Sequence, residues 1–323
     1  MWSFGATAVL MQPTNKDFSY AGNLPEITAN SAGDAQINPD YLKVTEGYDW
    51  WFGADITYGF PGNGRDVTLA YEGLHGTDSD STTNEDFGNM HSSFTGGAFT
   101  YAEGETDTRY DAGDLVFGQK LDVGQRIRLH PFVGVRYAHI DLTDTGLYTG
   151  GRDGNDSQSE NAKIENTFNG IGPRLGTDAQ INLGQGFSIR GRLGLSALIG
   201  SHSLDSVVTD TDYTASGAVD HNQTGTLTFA DYSETRVIPE IDDRLGVNYT
   251  YTFNSNTALG FELGWQATNY FNVVSTNPSL GDIGAADTSG SNPNSHAGPG
   301  TIYDTNMDFG PQGPYARVQL DLA

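Results

Sequence analysis

Residues 257–274 read TALGFELGWQATNYFNVV, and their alternation decides the fold class. Leu259, Phe261, Leu263, Trp265 and Ala267 fall on one face of an extended chain. Glu262, Gln266, Thr268 and Tyr270 fall on the other, together with Gly260 and Gly264. Side chains of a strand point alternately to its two faces, so one face of this segment suits lipid and the other suits water.

The same period recurs outward from this stretch in both directions. In 50–60 the outer set is Trp50, Phe52, Ala54, Ile56, Tyr58 and Phe60, with Asp55 and Thr57 inside. In 67–73 Val67, Leu69 and Tyr71 point out and Glu72 points in. In 127–137 Ile127, Leu129, Val133, Val135 and Tyr137 point out, while Arg128, His130 and Arg136 point in. In 171–183 Leu175, Ala179, Ile181 and Leu183 oppose Arg174, Asp178, Gln180 and Asn182. In 187–199 Ile189, Leu193, Leu195 and Ile199 oppose Arg190 and Arg192. In 237–253 Ile241, Leu245, Val247, Tyr249, Tyr251 and Phe253 oppose Glu240, Asp242 and Arg244. In 314–322 Val318, Leu320 and Leu322 oppose Arg317, Gln319 and Asp321. Segments 2–11 and 110–121 are weaker members of the set.

The connections alternate strictly in length. Pro61-Gly62-Asn63-Gly64, Val123-Gly124-Gln125, Gly184-Gln185-Gly186 and Asn254-Ser255-Asn256 are short and built of turn residues. Long loops are expected near 14–47, 75–107, 143–163, 207–234 and 275–307. The chain therefore reads as all-β: a transmembrane up-and-down antiparallel β-barrel of about ten strands in a single domain over 1–323. Twelve is the nearest alternative, since 98–102 and 226–230 could add hairpin arms. The rhythm expects short turns and both termini on the periplasmic side, and long loops outside the cell.

Composition excludes several classes. Hydrophobic residues are 36% of the chain and no stretch approaches the roughly 20 apolar residues of a spanning helix, a test a barrel escapes. A net charge of −25 repels nucleic acid, which is discounted as a partner. There are no cysteines, hence no disulfides and no thiolate metal site. The 42 glycines and 11% aromatics suit strands and tight turns rather than disorder. Met1-Trp2-Ser3-Phe4 lacks the basic start of a signal peptide, and 2–11 already reads as a strand.

The inner faces collect both signs of charge. Arg128, Arg136, Arg174, Arg190, Arg192, Arg236, Arg244 and Arg317 are expected to line the lumen, with Asp55, Glu72, Asp114, Asp178, Glu240, Asp242 and Glu262. These eight arginines are half of the 16 Lys and Arg residues. Arginine pairs with carboxylates through a two-pronged fork. The wall can thus be a salt-bridge network that fills a narrow barrel or a wet channel with a transverse field. Glycines 53, 59, 172, 176, 194, 246, 260 and 264 leave room either for a pore or for arginines to cross the lumen. Asp243 is anomalous, because the register that points Leu245 outward also points Asp243 at lipid.

The loops are acidic. Residues 76–107 hold seven acids, among them Asp78, Asp80, Glu85 and Asp86, and no Lys or Arg. Such a loop is a solvated surface or a vestibule that attracts cations. Asp153-Gly154-Asn155-Asp156 has part of a calcium loop but lacks its glycine and terminal glutamate, so no metal site is assigned. No nucleotide loop, zinc motif or nucleophile elbow is present, and no cofactor is expected.

Six segments carry a family resemblance: YDWWFGADITYGFPG (48–62), YDAGDLVFGQKLDVGQRIRLHPFVGVRYAHIDL (110–142), FNGIGPRLGTDAQINLGQGFSI (168–189), VIPEIDDRLGVNYTYTFN (237–254), LGFELGWQATNYFNVV (259–274) and FGPQGPYARVQLDL (309–322). They resemble the Legionella-type major outer membrane protein family of pore-forming proteins. The resemblance implies a barrel in a Gram-negative outer membrane and suggests a porin-like channel for ions or small solutes. Lipid and lipopolysaccharide are the expected partners, with a homo-oligomer as a further candidate. Members can carry subunit-linking cysteines, which this chain lacks, and barrels commonly end in an aromatic residue where this chain has Leu322-Ala323.

Other functions compete. A structural or adhesive surface protein would have a lumen closed by salt bridges. An enzyme would need His with carboxylates or Ser at the rim, for which His139 with Asp141 and His202 with Asp205 are the pairs available. A secreted β-sandwich would lack the outward band of Trp, Tyr, Phe and Leu.

Overall fold

The computed structural model describes residues 1–13, 18–23, 40–45, 47–83, 90–94, 98–150, 156–214, 223–276 and 305–322. In chain order the strands are β1 (Trp2–Pro13), β2 (Ser19–Asn23), β3 (Asp40–Lys43), β4 (Asp49–Gly59), β5 (Arg65–Thr83), β6 (Met90–Ser92), β7 (Ala98–Phe99) and β8 (Tyr101–Gln119). There follow β9 (Leu121–Val123), β10 (Ile127–Thr149), β11 (Asp156–Gly184), β12 (Phe187–Thr214), β13 (Gln223–Asn254), β14 (Thr257–Thr276), β15 (Thr305–Phe309) and β16 (Pro311–Leu322).

Ten of them close a ring in the order β1, β4, β5, β8, β10, β11, β12, β13, β14, β16 and back to β1. Every neighbouring pair is antiparallel. Closure removes the free edges, which is what lets strands stand in a lipid bilayer. β9 only continues the β8 side of the β10 ladder, and β15 adds a short pairing to β14. The twelve-strand alternative fails at both proposed arms. Ala98 and Phe99 leave the barrel for a separate small sheet, and 226–230 runs inside the continuous β13.

The turn end is tight. Gly62, Gly64 and Gly124 adopt positive φ, and in the β11–β12 turn Gly184, Gln185 and Gly186 all do so, at 100°, 54° and 86°. Gln185 is the one of these with a Cβ, so its two glycine neighbours carry the more demanding geometry.

Around the middle of the barrel runs a belt of exposed apolar side chains, including Phe52, Leu69, Val133, Ile171, Leu195, Val237, Leu263 and Trp265. Trp50 is 60% exposed and Trp51 1%, so adjacent tryptophans serve opposite faces. Exposed Asp243 faces Leu193 and Ala267 across its ladders with no bulge beside it, so the lipid-facing register holds through it.

The strands run further than the alternation suggests. β5 reaches Thr83, β8 starts at Tyr101, β10 reaches Thr149, β11 starts at Asp156, β12 reaches Thr214 and β13 starts at Gln223. Much of 75–107, 143–163 and 207–234 is therefore strand rather than loop. The reason is a reversal of polarity without a change of register. In β10 the outer face passes from Tyr137 to His139, Asp141 and Thr143, while the inner face becomes Ala138, Ile140 and Leu142, all buried. β12 does the same, with Ser201, Ser203 and Asp205 outside and Leu198, Leu204 and Val208 buried inside. Beyond the membrane the outside is water, so apolar residues move to the interior.

That interior is filled. β2, β3, β6 and β7 form a separate four-stranded sheet. Its region supplies Phe18, Tyr20, Ala21, Val44, Met90, Phe94 and Phe99 to one buried cluster with Ala102, Tyr148, Ala162, Ile164, Leu204 and Val208 of the wall. The 14–47 and 75–107 segments thus contribute packed sheet as well as connection. A Cβ on Gly104 would collide with the Tyr20 ring, so this glycine lets the insert approach the wall.

Candidate functional site: the lumen

Below the inserted sheet lies an apolar layer. Trp51, Tyr110, Phe168, Leu198, Ile238, Tyr270 and Phe309 are buried together from separate strands. The Tyr110 and Tyr270 hydroxyls hydrogen-bond to each other at 2.9 Å across the interior, and Tyr110 donates to Glu72. Trp51 meets the Tyr110 ring edge-on at 4.8 Å.

Next towards the turn end is a layer of ion pairs centred on two arginines. Arg136, 1% exposed, contacts Glu72 and Glu240 closely, Asp114 at 3.1 Å and Asp242 at 3.7 Å. Arg174, 2% exposed, reaches Asp242 at 2.7 Å, Glu240 at 3.3 Å and Asp114 at 3.4 Å, and donates to Ser196 at 3.1 Å. Two guanidinium groups thus share four carboxylates from β5, β8 and β13. Glycine makes the space: a Cβ on Gly194 would overlap Asp242 and crowd Arg174.

The turn-end half is more open. Arg192 holds Asp178 at 2.6 Å and Arg317 holds Asp55, with Thr7 at 3.2 Å. Arg190 reaches Gln319 at 3.0 Å and Glu262 at 3.4 Å. His130 sits between Asp66 at 3.0 Å and Asp178 at 3.2 Å. Arg192 and Arg174 also lie over the Phe132 ring, at 5.7 and 5.8 Å. These groups surround two cavities of about 220 and 370 Å³.

Not every charged residue expected on the lumen wall enters these pairings. Arg128 bonds Asp122 at 2.8 Å, both largely exposed at the turn end. Arg236 pairs with Glu234 two residues away on its own strand, towards the loop end. Arg244 stacks over Tyr315 at 5.0 Å and makes no ion pair or hydrogen bond among the described residues. Of the loop acids, Asp78 lies on β5 and accepts a hydrogen bond from the Gly47 amide at 3.0 Å, and Asp80 is exposed on the same strand. Glu85, Asp86 and Asp153 to Asn155 lie outside the described residues.

The two rim pairs are placed differently, and His139 and Asp141 share the outer face of β10. His139 bonds Asn169 at 2.9 Å. His202 is buried inside the barrel, whereas Asp205 is on the outer face, because an odd separation on a strand puts two residues on opposite sides. Among the described residues no cluster of His, Asp or Glu has the arrangement of a metal site.

Alternation alone did not single out Asp66, Trp51, Phe132 or Tyr315. Each was legible by parity, being an even number of residues from an inner-facing residue of its own strand: Asp66 from Glu72, Trp51 from Asp55, Phe132 from Arg136 and Tyr315 from Arg317. The apolar ones went unmarked because an inward aromatic does not stand out from its own outward neighbours.

Residues 1–322 match the family described as Legionella pneumophila major outer membrane protein precursor. No curated protein sequence matches the chain. Among solved structures it is similar to the outer membrane protease OmpT from Escherichia coli, with 9% identity, a TM-score of 0.43 and coverage of 100% of this chain and 96% of that one. It is also similar to the P. putida toluene transporter TodX, at 8% identity, a TM-score of 0.34 and 100% and 89% coverage. A Pseudomonas aeruginosa FadL homologue follows, at 8% identity, a TM-score of 0.28 and 99% and 90% coverage. With its closed ten-stranded barrel, its apolar belt and a family match over nearly its whole length, the chain belongs to the Legionella major outer membrane protein family and resides in the outer membrane of a Gram-negative bacterium.

Proposed function

We propose that the protein is a porin-like channel for ions or small solutes whose lumen is held shut in this conformation, with its turn end towards the periplasm and its acidic loops outside the cell. The carrying observation is the asymmetry of the lumen. Charged cavities occupy the turn-end half, and closure rests on side chains and an inserted sheet rather than on a strand of the wall. Conduction then requires the Tyr110–Tyr270 layer to part and the insert to shift. Outer-membrane lipid and lipopolysaccharide surround the apolar belt, and a homo-oligomer would need no disulfide. The protein is not read as an enzyme.

A second reading has its own support. Arg136 is tied to four carboxylates and is almost fully buried, which favours a permanently closed barrel with a structural or adhesive surface role. Single-channel recording in planar bilayers separates the two. The channel reading expects infrequent openings of the native protein and sustained, larger conductance of a Tyr110→Ala/Tyr270→Ala variant. Silence from both folded proteins would leave the closed, structural reading standing.

A further inference from the structure

The chain as a whole carries −25, yet the cavity of about 370 Å³ at the turn end is bordered mainly by cations. Lys120, Arg128, Arg190, Arg192, Arg244 and Arg317 line it, against the carboxylates Asp178, Glu262 and Asp321. All three acids already have partners. Asp178 is shared by Arg192 and His130, and Glu262 accepts from Tyr315 and Arg190. Asp321 accepts from Gln319.

Arg244 is the group this arrangement leaves unbalanced. Its cross-strand neighbours on the inner face are Arg192 on one side and Gln266 on the other. Like charges placed directly opposite on adjacent strands repel, and here no carboxylate separates them. Arg317 adds a further positive charge on the same group, although it is itself paired with Asp55, and Asp55 and Glu262 offset Arg244 only at longer range. Among the described residues no carboxylate lies within ion-pair distance of Arg244, and its buried Nε has no hydrogen-bond partner. Its guanidinium lies over the Tyr315 ring, 5.0 Å from the ring centre. A guanidinium with unmade hydrogen bonds, facing two other arginines inside a barrel, is costly unless an anion completes it.

The structure also gives that anion room. Arg244 borders both cavities, together with Arg192 and Arg317. Gly191, beside Arg192 on β12, borders the cavity of about 370 Å³ as well. We propose that the turn-end cavity binds a small oxyanion of the phosphate or sulfate class, held by Arg244 with Arg190, Arg192 and Arg317. The forked geometry of guanidinium suits tetrahedral oxyanions, and several forks converge here. The site stands whether or not the pore conducts, since it needs only access from the turn end.

The test is isothermal titration of the full chain, folded in a non-ionic detergent free of phospholipid, with sodium phosphate and with sodium sulfate at constant ionic strength. Saturable binding of either salt is expected, with sodium chloride giving none. Arg244→Gln should weaken binding by about tenfold or more, the loss of one charge-assisted contact. Gln266→Glu places a carboxylate directly opposite Arg244, so it should abolish binding and raise the unfolding temperature by doing the anion's work from within. This variant also keeps the question open to test should Arg244→Gln not fold. Arg109→Gln, on the outer face and paired with Asp111, should bind as the native protein does. The proposal is overturned if neither oxyanion binds saturably, or if binding survives both Arg244→Gln and Gln266→Glu.

Discussion

Arg136 of β10 and Glu240 of β13 meet inside the barrel although 104 residues separate them in the chain, and both are almost completely buried. Two whole strands lie between them in the wall, so this pair spans the lumen rather than a ladder. Removing one member of such a pair strands the other. Arg136→Ala leaves Glu72, Asp114, Glu240 and Asp242 facing one another with Arg174 alone between them. The expected loss is about 3–5 kcal/mol, read as a shift of the urea midpoint for unfolding from lipid vesicles. A loss below about 1 kcal/mol would mean that water already screens the cluster.

Selectivity should divide along the axis. Asp78 and Asp80 stand at the loop end and the arginines at the turn end, so a conducting pore has an entrance of each sign. Weak cation preference is expected, fading with added salt because screening acts within about 8–10 Å at physiological ionic strength. Replacing Asp78, Asp80, Glu85 and Asp86 by Asn or Gln should move the reversal potential in a salt gradient towards anions. An unmoved reversal potential would make the loops bystanders.

Asp243 is a lipid-facing carboxylate within an apolar stripe, between Ile241 and Leu245. Asp243→Leu should stabilise the folded barrel by roughly 1–2 kcal/mol in the same vesicle assay, the depth-dependent cost of a charge on this face. A loss of stability together with a change in the oligomer sedimenting in detergent would instead assign Asp243 to a contact with a second copy.

Beyond the apolar belt, Asp205 lies across the ladder from Asp231 and beside Glu165 on the outer face. Partial loss of hydration, then repulsion from Asp231 and Glu165, raises its pKa above the ordinary 3.8. The folded state therefore holds this proton more tightly than the unfolded state. Stability declines as pH rises from 3.8 through the raised folded value, and recovers on mild acidification. Asp205→Asn should raise stability at neutral pH and flatten this part of the profile. An identical pH profile in the variant would remove Asp205 from the account.

Local alternation carried a great deal of this fold. Leu259, Phe261, Leu263 and Trp265 against Glu262 and Gln266 fix a strand with one lipid face, because a period of two admits no other assignment of sides. Repetition of that signal, with turn residues such as Gly62 and Gly124 between, gives an up-and-down barrel of about ten strands, and the choice of ten over twelve came from the pairing of Ala98–Phe99 and the continuity of β13. The extent of the strands was not legible in the same way. At Tyr137–Ala138 the apolar residues change face while the register continues, and a sequence reading keyed to one outward face ends the strand there.

What only the tertiary structure decided is which charges meet and what fills the space between them. Parity assigns Arg136, Arg174, Arg244, Glu240 and Asp242 to one wall, but partners across a lumen are set by barrel closure, strand stagger and side-chain reach, none of which is local. Closure brings Arg136 to four carboxylates and leaves Arg244 opposite Arg192, with no carboxylate in ion-pair reach among the described residues. The folding of Tyr20 and Met90 into the barrel mouth is of the same kind, since most of the apolar wall that receives them comes from β10, β11 and β12, far away in sequence. Alternation is an interaction of each residue with its solvent and can be read one strand at a time, whereas pairing inside the barrel depends on all ten strands at once.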